Sequence, residues 1–228
     1  MTADDIDRLL HQDGVALWGV AANEPRMVLA PELPRAISLV AHHDAAAMAG
    51  VEREPTAAYY ADYKRLNALL DAAAAALAAA LRAAGHAAEA VPATVYEDEY
   101  DAVEDWGDAG VFAHKTAATR AGLGWIGKTA LFVSPALGPW VRLATVFTDV
   151  DLSVGAPVTE GACGACRRCV DACPAGAGRD VTWSAGMPRD DLFDEKACEV
   201  YTERFDDLGG VCGSCLAVCP YGITGAAG

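Results

Sequence analysis

The sequence has few basic side chains. Its 228 residues include 17 lysines and arginines against 32 aspartates and glutamates, which gives a formal net charge of −15. A wide surface that holds nucleic acid or an anionic membrane needs an excess of lysine and arginine, because the ligand is itself strongly negative. We therefore expect neither a nucleic-acid partner nor a membrane partner, and the composition leaves room only for a small basic patch.

The marks of an exported or membrane-embedded chain are also missing. The opening segment MTADDIDRLLHQDG is acidic and has no basic stretch followed by an apolar run, so we expect no signal peptide. The longest stretch of mostly alanine, residues 72–84, contains Arg82 and is too short and too weakly hydrophobic to span a bilayer. These absences predict a cytoplasmic protein, in which thiols stay reduced.

Cysteine is absent from the first 162 residues, and all eight cysteines then lie between Cys163 and Cys219. This asymmetry, together with a hydrophobic fraction of 53%, predicts a globular protein with two domains. We expect an α/β (α+β) domain that binds a cofactor or substrate at residues 1–155. A small cysteine-bearing domain is expected at residues 156–228.

Apolar patterns predict the elements of the first part of the chain. Strands are expected at residues 15–21, 36–41, 130–134 and 141–148, and a helix-like segment at residues 114–121. The acidic stretch 89–108, with eight carboxylates and no lysine or arginine, is interpreted as a solvated loop. A long helix is expected from residue 56 to about residue 84, with a buried stripe at Leu66, Leu70, Ala73, Leu77 and Leu81.

The cysteines form two related motifs. In the first, three cysteines at intervals of three bind one 4Fe–4S cluster, and a fourth, followed by proline, turns away to a neighbouring cluster. The second motif has one of its ligands moved upstream, and its last cysteine is again followed by proline. The first motif is Cys163, Cys166, Cys169 and Cys173, and the second is Cys198, Cys212, Cys215 and Cys219.

Cross-pairing the two motifs uses every cysteine once. It predicts one 4Fe–4S cluster on Cys163, Cys166, Cys169 and Cys219, and another on Cys173, Cys198, Cys212 and Cys215. A pair of four-cysteine zinc sites is the alternative, but zinc requires neither the third cysteine at this interval nor two Cys-Pro pairs. A disulfide framework would leave about 105 pairings open and conflicts with a reducing compartment.

A glycine-rich segment, residues 122–129 (GLGWIGKT), matches two phosphate-binding sequence patterns, but the elements predicted around it do not match. Both patterns require a strand before the loop and a helix after it, because the phosphates lie at the helix N-terminus. Here a helix-like segment precedes the loop, and the stretch after it reaches Pro135, so nucleotide binding is not expected. The glycines instead favour close approach of backbone N–H groups to a large flat or anionic ligand.

Residues 117–149, followed by the two cysteine motifs, resemble the catalytic core of the epoxyqueuosine reductases and their shorter homologues. These are cobalamin-dependent reductases with two 4Fe–4S clusters, related to the corrinoid reductive dehalogenases. The resemblance implies an α/β cobalamin-binding domain followed by a ferredoxin-like domain, whose clusters would reduce cobalt to the Co(I) state. It also implies corrin contacts in the glycine-rich loop, at Gly122, Leu123, Gly124, Trp125, Gly127 and Lys128.

The resemblance also suggests acid residues. The family's proposed acid is an aspartate upstream of the loop, and an alignment without gaps places Asp108 at that position. The Gly-Asp-Ala-Gly context of Asp108 differs from the family's. An exposed residue of the acidic stretch is therefore the simpler interpretation of Asp108. His114, which precedes the loop, is the histidine that we expect to support the site or transfer a proton. His42 and His43 follow a predicted strand, but a polar loop pair is the simpler interpretation.

The tRNA-modifying members of the family extend beyond their last cysteine into a helical-repeat domain, whereas this sequence stops nine residues after Cys219. We therefore expect a cytoplasmic corrinoid and iron–sulfur reductase that acts on a small-molecule or nucleoside-sized substrate. Its electron donor would be a ferredoxin or flavodoxin. The alternatives are a cofactor-free 4Fe–4S electron carrier, or a true tRNA epoxyqueuosine reductase without the helical-repeat domain.

Overall fold

The structure, a computed structural model, describes residues 1–23, 30, 32–94 and 113–225, with side chains as far as residue 222. Asp108, the predicted acid, lies outside the described residues. The strands are β1 (Leu17–Ala22), β2 (Arg35–His42), β3 (Ala88–Val91), β4 (Trp125–Ile126), β5 (Phe132–Val133) and β6 (Val141–Thr148). The helices that the structure describes before residue 121 are α1 (Ala3–Gln12), α2 (Ala45–Met48), α3 (Ala57–Ala83) and α4 (His114–Arg120).

Short helices dominate the cysteine-bearing part of the chain. They are α5 (Arg168–Asp171), α6 (Arg189–Leu192), α7 (Glu195–Thr202), a 3-10 turn (Glu203–Leu208), α8 (Ser214–Ala217) and α9 (Pro220–Gly225). The mixed α/β class predicted from the sequence is confirmed.

The chain divides into two compact units, each built from three stretches of sequence. Unit 1 contains Met1–Ala41, Leu66–Leu123 and Arg142–Pro157. Unit 2 contains His42–Arg65, Gly124–Val141 and Val158–Gly228. These two units are defined by their internal contacts, whereas the predicted boundary after residue 155 separates parts of the chain that would fold independently. That boundary therefore stays a prediction.

Unit 1 is organised around a four-stranded sheet in the order β1-β2-β6-β3. Its two outer pairs are antiparallel, with Leu17 opposite Val40 in one and Glu89 opposite Phe147 in the other. The predicted strand at residues 141–148 has the observed bounds of β6, and the two earlier strands are shifted by one or two residues at their ends. The solvated-loop interpretation is wrong at its start, because Glu89 belongs to β3.

Helix α3 provides the main apolar surface that packs on this sheet. The predicted stripe is buried throughout, with each member at most 2% exposed: Leu66, Leu70, Ala73, Leu77 and Leu81. These residues share a core with Ile37 and Leu39 of β2 and Val146 of β6. Among the described residues α3 is also the one helix long and apolar enough to cross a membrane by length and composition, and its role in this core accounts for that composition.

The opposite face of the sheet is covered by the short helix α4. Its Ala117 packs with Ala21, Ala36 and Phe147 of the strands, all of them fully buried. Small residues let the helix backbone approach the sheet closely, which explains why α4 is rich in alanine and threonine rather than leucine. Leu123, just after α4, is partly buried against the same group.

Unit 2 contains the β4-β5 hairpin, in which Trp125 pairs with Val133 and Ile126 pairs with Phe132. The sequence predicted one strand at residues 130–134 and a loop before it. The observed strand is only two residues long, because its partner is the glycine-rich loop itself. A small apolar core of Met48, Val51, Tyr59, Trp140 and Ala217 supports this unit.

Candidate functional site: the cysteine centre and its hairpin

The eight cysteines lie in loops and on short helices of unit 2. All are free thiols and all are half-buried. Cys169 lies in α5, Cys198 in α7 and Cys215 in α8, while Cys219 directly precedes α9. Because each helix is only a turn or two long, the chain changes direction between successive cysteines and returns to the same region of the unit.

The first predicted set of cysteines is brought together. Burial, with added contributions from the nearby sulfurs of Cys219, Cys163 and Cys166, raises the pKa of the Cys169 thiol to about 11. Burial also raises the pKa of Cys219, to which Cys163 and Cys166 again contribute, against the lowering effect of two backbone N–H groups. A thiol is influenced in this way only by ionisable groups close to it. Cys163, Cys166, Cys169 and Cys219 therefore form one group.

The second predicted set forms a neighbouring group. Burial, with added contributions from Cys212, Cys169 and Cys173, raises the pKa of the Cys215 thiol to about 12 against the lowering effect of Thr129. Burial likewise raises the pKa of Cys198, with added contributions from Cys173 and Cys212. Cys173, Cys198, Cys212 and Cys215 thus surround a second position, and the influence of Cys169 on Cys215 shows that the two groups are adjacent.

The donor set has the chemistry of iron–sulfur ligation. Burial makes the thiols of Cys169 and Cys215 resist ionisation, and an iron bound to each sulfur would replace its proton. In the part of the chain that the structure describes, no group of three or more His, Cys, Asp or Glu side chains is arranged to hold a metal ion as it stands. The cysteine sets fit two clusters by ligand type, number and grouping.

Trp125 contacts the first set directly. Its indole Nε1 donates a hydrogen bond to Sγ of Cys163 at 3.4 Å. The ring also meets Tyr221 edge to face, with ring centroids 5.0 Å apart and planes at 78°. Tyr221 is in turn fixed by a hydrogen bond of 3.3 Å from its hydroxyl to the carbonyl oxygen of Ala162. Two aromatic rings therefore line the first set of sulfurs.

Other donors reach the second set. The backbone N–H of Ala177 donates a hydrogen bond to Sγ of Cys173 at 3.4 Å. The hydroxyl of Ser214 lies 3.2 Å from Sγ of Cys212. Such N–H and O–H groups stabilise thiolate charge, as they do around the sulfurs of iron–sulfur proteins.

The glycines of the loop are required by the chain's own backbone. Gly122 has a left-handed φ of +80°, and a Cβ there would lie 2.7 Å from the carbonyl oxygen of Ala156. A Cβ on Gly124 would overlap the carbonyl oxygen of Val133 across the hairpin. Gly127 faces Cys163, since a Cβ there would lie 3.9 Å from its Sγ. These close approaches explain the glycines through internal packing.

The six predicted corrin contacts consequently differ in accessibility. Gly124, Trp125, Gly127 and Lys128 are buried in unit 2, where they surround the cysteines. Gly122 is exposed and Leu123 is partly exposed in unit 1. All six corrin contacts stay predictions, and Gly122 and Leu123 are the two of them with accessible surface.

An open groove in unit 1 adjoins Leu123. It has a volume of about 450 Å³ and is lined by Trp18, Leu123, Leu152, Val154 and Asp151, among others. Val154 is 47% exposed, which makes it one of the most exposed large apolar residues of the described chain. A half-apolar groove of this size accommodates part of a large flat ligand rather than a whole one.

Lys128 is held in a chain of ion pairs. Its Nζ lies 2.8 Å from Oδ1 of Asp180, and Oδ2 of Asp180 accepts a hydrogen bond of 3.2 Å from Arg167. Arg167 also pairs with Asp171 at 2.9 Å. Lys128 lowers the pKa of Asp180, and Arg167 adds a smaller effect in the same direction. Asp180 has a φ of +56°, which Asp and Asn tolerate better than most residues.

His114 lies at the start of α4, with both ring nitrogens in hydrogen bonds. Nδ1 is 2.8 Å from the Thr145 hydroxyl, and Nε2 is 2.8 Å from the carbonyl oxygen of Pro92. A carbonyl only accepts, so Nε2 carries the proton and Nδ1 accepts from Thr145. Burial lowers the pKa of His114 to about 4. The neutral ring thus anchors α4 to the sheet, and proton transfer at neutral pH would require breaking one of these bonds.

A buried pair that the sequence did not reveal lies elsewhere in unit 2. His43, 1% exposed, places Nδ1 2.7 Å from Oδ2 of Asp62, and Arg65 holds Oδ1 of the same carboxylate at 2.6 and 2.8 Å. Hydrogen bonds from Arg65, His43 and the backbone of Asp44 lower the pKa of Asp62 against the opposing effect of burial. The polar-loop interpretation of His43 is wrong, because its ring is part of the interior.

Known proteins resemble this chain in sequence and in fold. No protein-family model matches it. The epoxyqueuosine reductase of Listeria monocytogenes is 36% identical over 121 residues, which is 50% of this chain and 31% of that protein. The chain thus spans about a third of the length of the curated relatives that it matches.

Solved structures extend the likeness to the whole fold. A reductive dehalogenase whose structure suggests a mechanism for B12-dependent dehalogenation has a TM-score of 0.77 and 22% identity, covering 99% of this chain and 33% of that chain. An epoxyqueuosine reductase with an epoxyqueuosine-modified tRNA-Tyr stem loop has a TM-score of 0.60 and 17% identity, covering 96% and 65%. Over half of its length, therefore, this chain is a homologue of the bacterial epoxyqueuosine reductases.

Proposed function

We propose that this protein is an epoxyqueuosine reductase-like iron–sulfur oxidoreductase that uses two 4Fe–4S clusters to deliver single electrons to a bound cobalamin. One observation carries the proposal: eight cysteines in two cross-paired motifs lie in one unit, where Cys169 is near Cys163, Cys166 and Cys219, and Cys198 is near Cys173 and Cys212. The clusters supply one-electron storage and transfer, and cobalamin supplies the centre that reduces the substrate. Homology to epoxyqueuosine reductases over half of the chain supports the reductase class.

The cysteines would bind the clusters, and neighbouring residues would surround them. The eight thiolates provide the ligands, while Trp125 and Tyr221 cover the first set with aromatic surface. Hydrogen bonds from Trp125 to Cys163 and from the backbone of Ala177 to Cys173 would stabilise the negative charge of the sulfurs. Adjacent ligand sets suit electron transfer from one cluster to the other, because the rate of such transfer depends on short separation.

Leu123 and Gly122 are our proposed cobalamin contacts in this chain. Leu123 is partly exposed and lines the open groove of unit 1, and Gly122 is exposed beside it. The likeness in fold to a B12-dependent dehalogenase supports a corrinoid ligand. The four buried loop residues support the cysteine sets instead, so we derive no corrin contact from them.

The substrate that we propose is a small molecule or a nucleoside-sized one. The net charge of −15 opposes broad contact with a polyanion, and each oxidised cluster with four thiolates adds about −2. An acidic surface also makes a strongly acidic electron donor a poor match, except at a local basic site such as the exposed Arg167 and Arg168. We propose a ferredoxin or flavodoxin as donor and a cytoplasmic location.

The second candidate is a true tRNA epoxyqueuosine reductase, which is favoured by the fold shared with an enzyme crystallised with a modified tRNA stem loop. The third is a cofactor-free electron carrier, which is favoured by the burial of four of the six predicted corrin contacts. Titration of the reconstituted protein with cobalamin, followed by absorbance, separates the third candidate from the others, because a carrier would leave the cobalamin spectrum unchanged.

Activity assays separate the first two candidates. The protein with clusters and cobalamin is supplied with a chemical reductant and either epoxyqueuosine nucleoside or epoxyqueuosine-modified tRNA. Our proposal predicts turnover of the nucleoside or a related small substrate, and no restoration of queuosine in cells that lack their own enzyme. Restoration of queuosine in such cells would establish the tRNA reductase and overturn the small-substrate proposal.

A further inference from the structure

A buried ionic network in unit 2 links the start of α3 to the residue that follows β2. Asp62, 7% exposed, accepts hydrogen bonds from Nδ1 of His43 at 2.7 Å and from the backbone N–H of Asp44 at 3.1 Å. Arg65 holds the other carboxylate oxygen. Burying charged groups costs free energy, and apolar residues of similar volume often stabilise a fold equally well. A role in fixing one conformation therefore explains the network better than a gain in stability does.

The His43 ring also packs on Tyr59. The two ring centroids lie 5.3 Å apart with planes at 43°, and the two residues are 1% and 4% exposed. The hydrogen bond to Asp62 fixes the plane of the His43 ring, because rotation of the ring would break the bond. Tyr59 and Asp62 are three residues apart in α3 and so share a face of the helix. The position of the Tyr59 ring is thus determined both by its helix and by His43.

Tyr59 in turn lies against the backbone between two cysteines of the second motif. A Cβ on Gly213 would lie 2.9 Å from Cε1 of Tyr59 and 2.8 Å from Cγ1 of Val51. Gly213 directly follows Cys212 and has a left-handed φ of +82°, so both its conformation and its surroundings require glycine. Tyr59 and Val51 therefore support the short segment that joins Cys212 to Cys215.

The first set of cysteines has a different support. Trp125 of β4 donates its hydrogen bond to Cys163 and meets Tyr221 of α9 edge to face. Neither of these two rings belongs to α3 or to the segment that contains His43. A change at His43 should therefore disturb Cys212 and Cys215 before it disturbs Cys163.

We propose that His43 is a positioning residue for the 4Fe–4S cluster that takes Cys212 and Cys215 as ligands. It acts through the ring of Tyr59 and is itself fixed by Asp62. A site whose ligands are held in place binds its metal centre without the cost of ordering the chain. Loss of this support leaves one cluster easier to remove and the other unchanged. The inference rests on the proposed function, since it requires both clusters.

The test follows the release of iron from the reconstituted protein to a ferrous chelator under anaerobic conditions. His43→Ala removes the ring that packs on Tyr59, and Tyr59→Leu removes the contact with Gly213. Tyr63→Leu is the matched control, because Tyr63 is a partly exposed tyrosine of the same helix that lies against Tyr60. We expect H43A and Y59L to release about four of about eight iron atoms roughly tenfold faster than the wild type. Y63L should match the wild type.

Electron paramagnetic resonance of the reduced samples identifies the cluster that is affected. The signal that weakens in H43A and Y59L should be the one that is missing from Cys212→Ser. The signal that is missing from Cys163→Ser should keep its intensity and shape. A residue that merely stabilises the fold would accelerate the loss of both clusters together, so the two signals separate positioning from general stability.

Iron and acid-labile sulfide are measured first in every sample. A wild-type protein that binds no cluster would refute the proposed function itself. With clusters present, unchanged iron release in H43A and Y59L, or equal acceleration for all the iron, would refute the inference and leave the proposed function intact. If H43A does not fold, Y59L and Asp62→Asn, which keeps the shape of the carboxylate, are judged by the same criteria.

Discussion

The ammonium group of Lys128 lies 2.8 Å from a carboxylate oxygen of Asp180, and the two partners differ in exposure, with side chains 6% and 35% exposed. Removing one partner from a buried pair leaves the other charge without compensation, and the cost is larger when the remaining charge has no access to water. The two losses therefore have different costs. Loss of Asp180 leaves the buried ammonium group of Lys128 without a counter-charge, whereas loss of Lys128 leaves a carboxylate that still contacts Arg167 and solvent.

We expect Asp180→Asn to lower the melting temperature at least twice as much as Lys128→Met. Asparagine tolerates the positive φ of Asp180, and methionine retains the length of the lysine stem, so both variants report the charge rather than the backbone or the packing. The measurement is differential scanning fluorimetry of both variants with clusters in place. Equal losses would show that the burial of Lys128 does not determine the energetics of the pair.

Serine substitutions test which cysteines share a cluster. Cys163→Ser and Cys219→Ser should impair the same cluster, and Cys198→Ser and Cys212→Ser the other, because of the observed grouping. Iron should fall from about eight atoms to about four per chain in each variant. The remaining paramagnetic signal should be the same within each pair of variants and different between the pairs. A signal shared by C163S and C198S would contradict the grouping.

Leu123→Ala should weaken the binding of hydroxocobalamin by about tenfold, which corresponds to the loss of part of one apolar contact. Val200→Ala is a matched control, because Val200 is 52% exposed, lies on α7 and is not one of the residues that line the groove. Dissociation constants are obtained from absorbance titrations. Equal affinities for the two variants would remove Leu123 from the cobalamin site.

His114 should make the protein sensitive to mild acid. Its pKa is lowered from 6.5 to about 4 in the folded state, so the unfolded chain takes up a proton at a higher pH than the folded chain does. Stability is therefore complete above about pH 6.5 and declines as the pH falls toward 4, with a loss of about 2 kcal/mol at pH 5. His114→Gln should lose less stability than the wild type between pH 7 and pH 5. If the melting temperatures of the wild type and of His114→Gln fell by the same amount between pH 7 and pH 5, the predicted role of His114 in acid sensitivity would be contradicted.

Local sequence patterns were sufficient for much of unit 1. The leucine and alanine stripe of α3 has a 3.6-residue period, and every predicted member is buried in the core. The strand at residues 141–148 has the same bounds as β6, because an unbroken apolar and β-branched run specifies a buried strand without outside help. The short strand β3 was not predicted, since Glu89 is held there by pairing with Phe147, a residue far along the chain.

In the candidate site, too, some features follow from the local sequence, and others depend on residues far apart in the chain. The cysteine intervals predict two ligand sets, because such spacing is typical of iron–sulfur ligation, and these sets stay a prediction. The roles of the loop residues were not predictable: Gly124 is required by Val133 across the hairpin, and Trp125 faces Cys163, which lies 38 residues away. The His43 and Asp62 pair likewise depends on two elements separated by 19 residues, with no motif to connect them.

Quantification of iron, acid-labile sulfide and zinc in anaerobically reconstituted protein tests the central claim most directly. Two 4Fe–4S clusters on eight cysteines predict about eight iron atoms and about eight sulfides per chain, a brown colour, and zinc well below one atom per chain. A colourless protein with about two zinc atoms per chain and no labile sulfide would identify the cysteine sets as four-cysteine zinc sites. That result would contradict the electron-transfer function proposed for this protein.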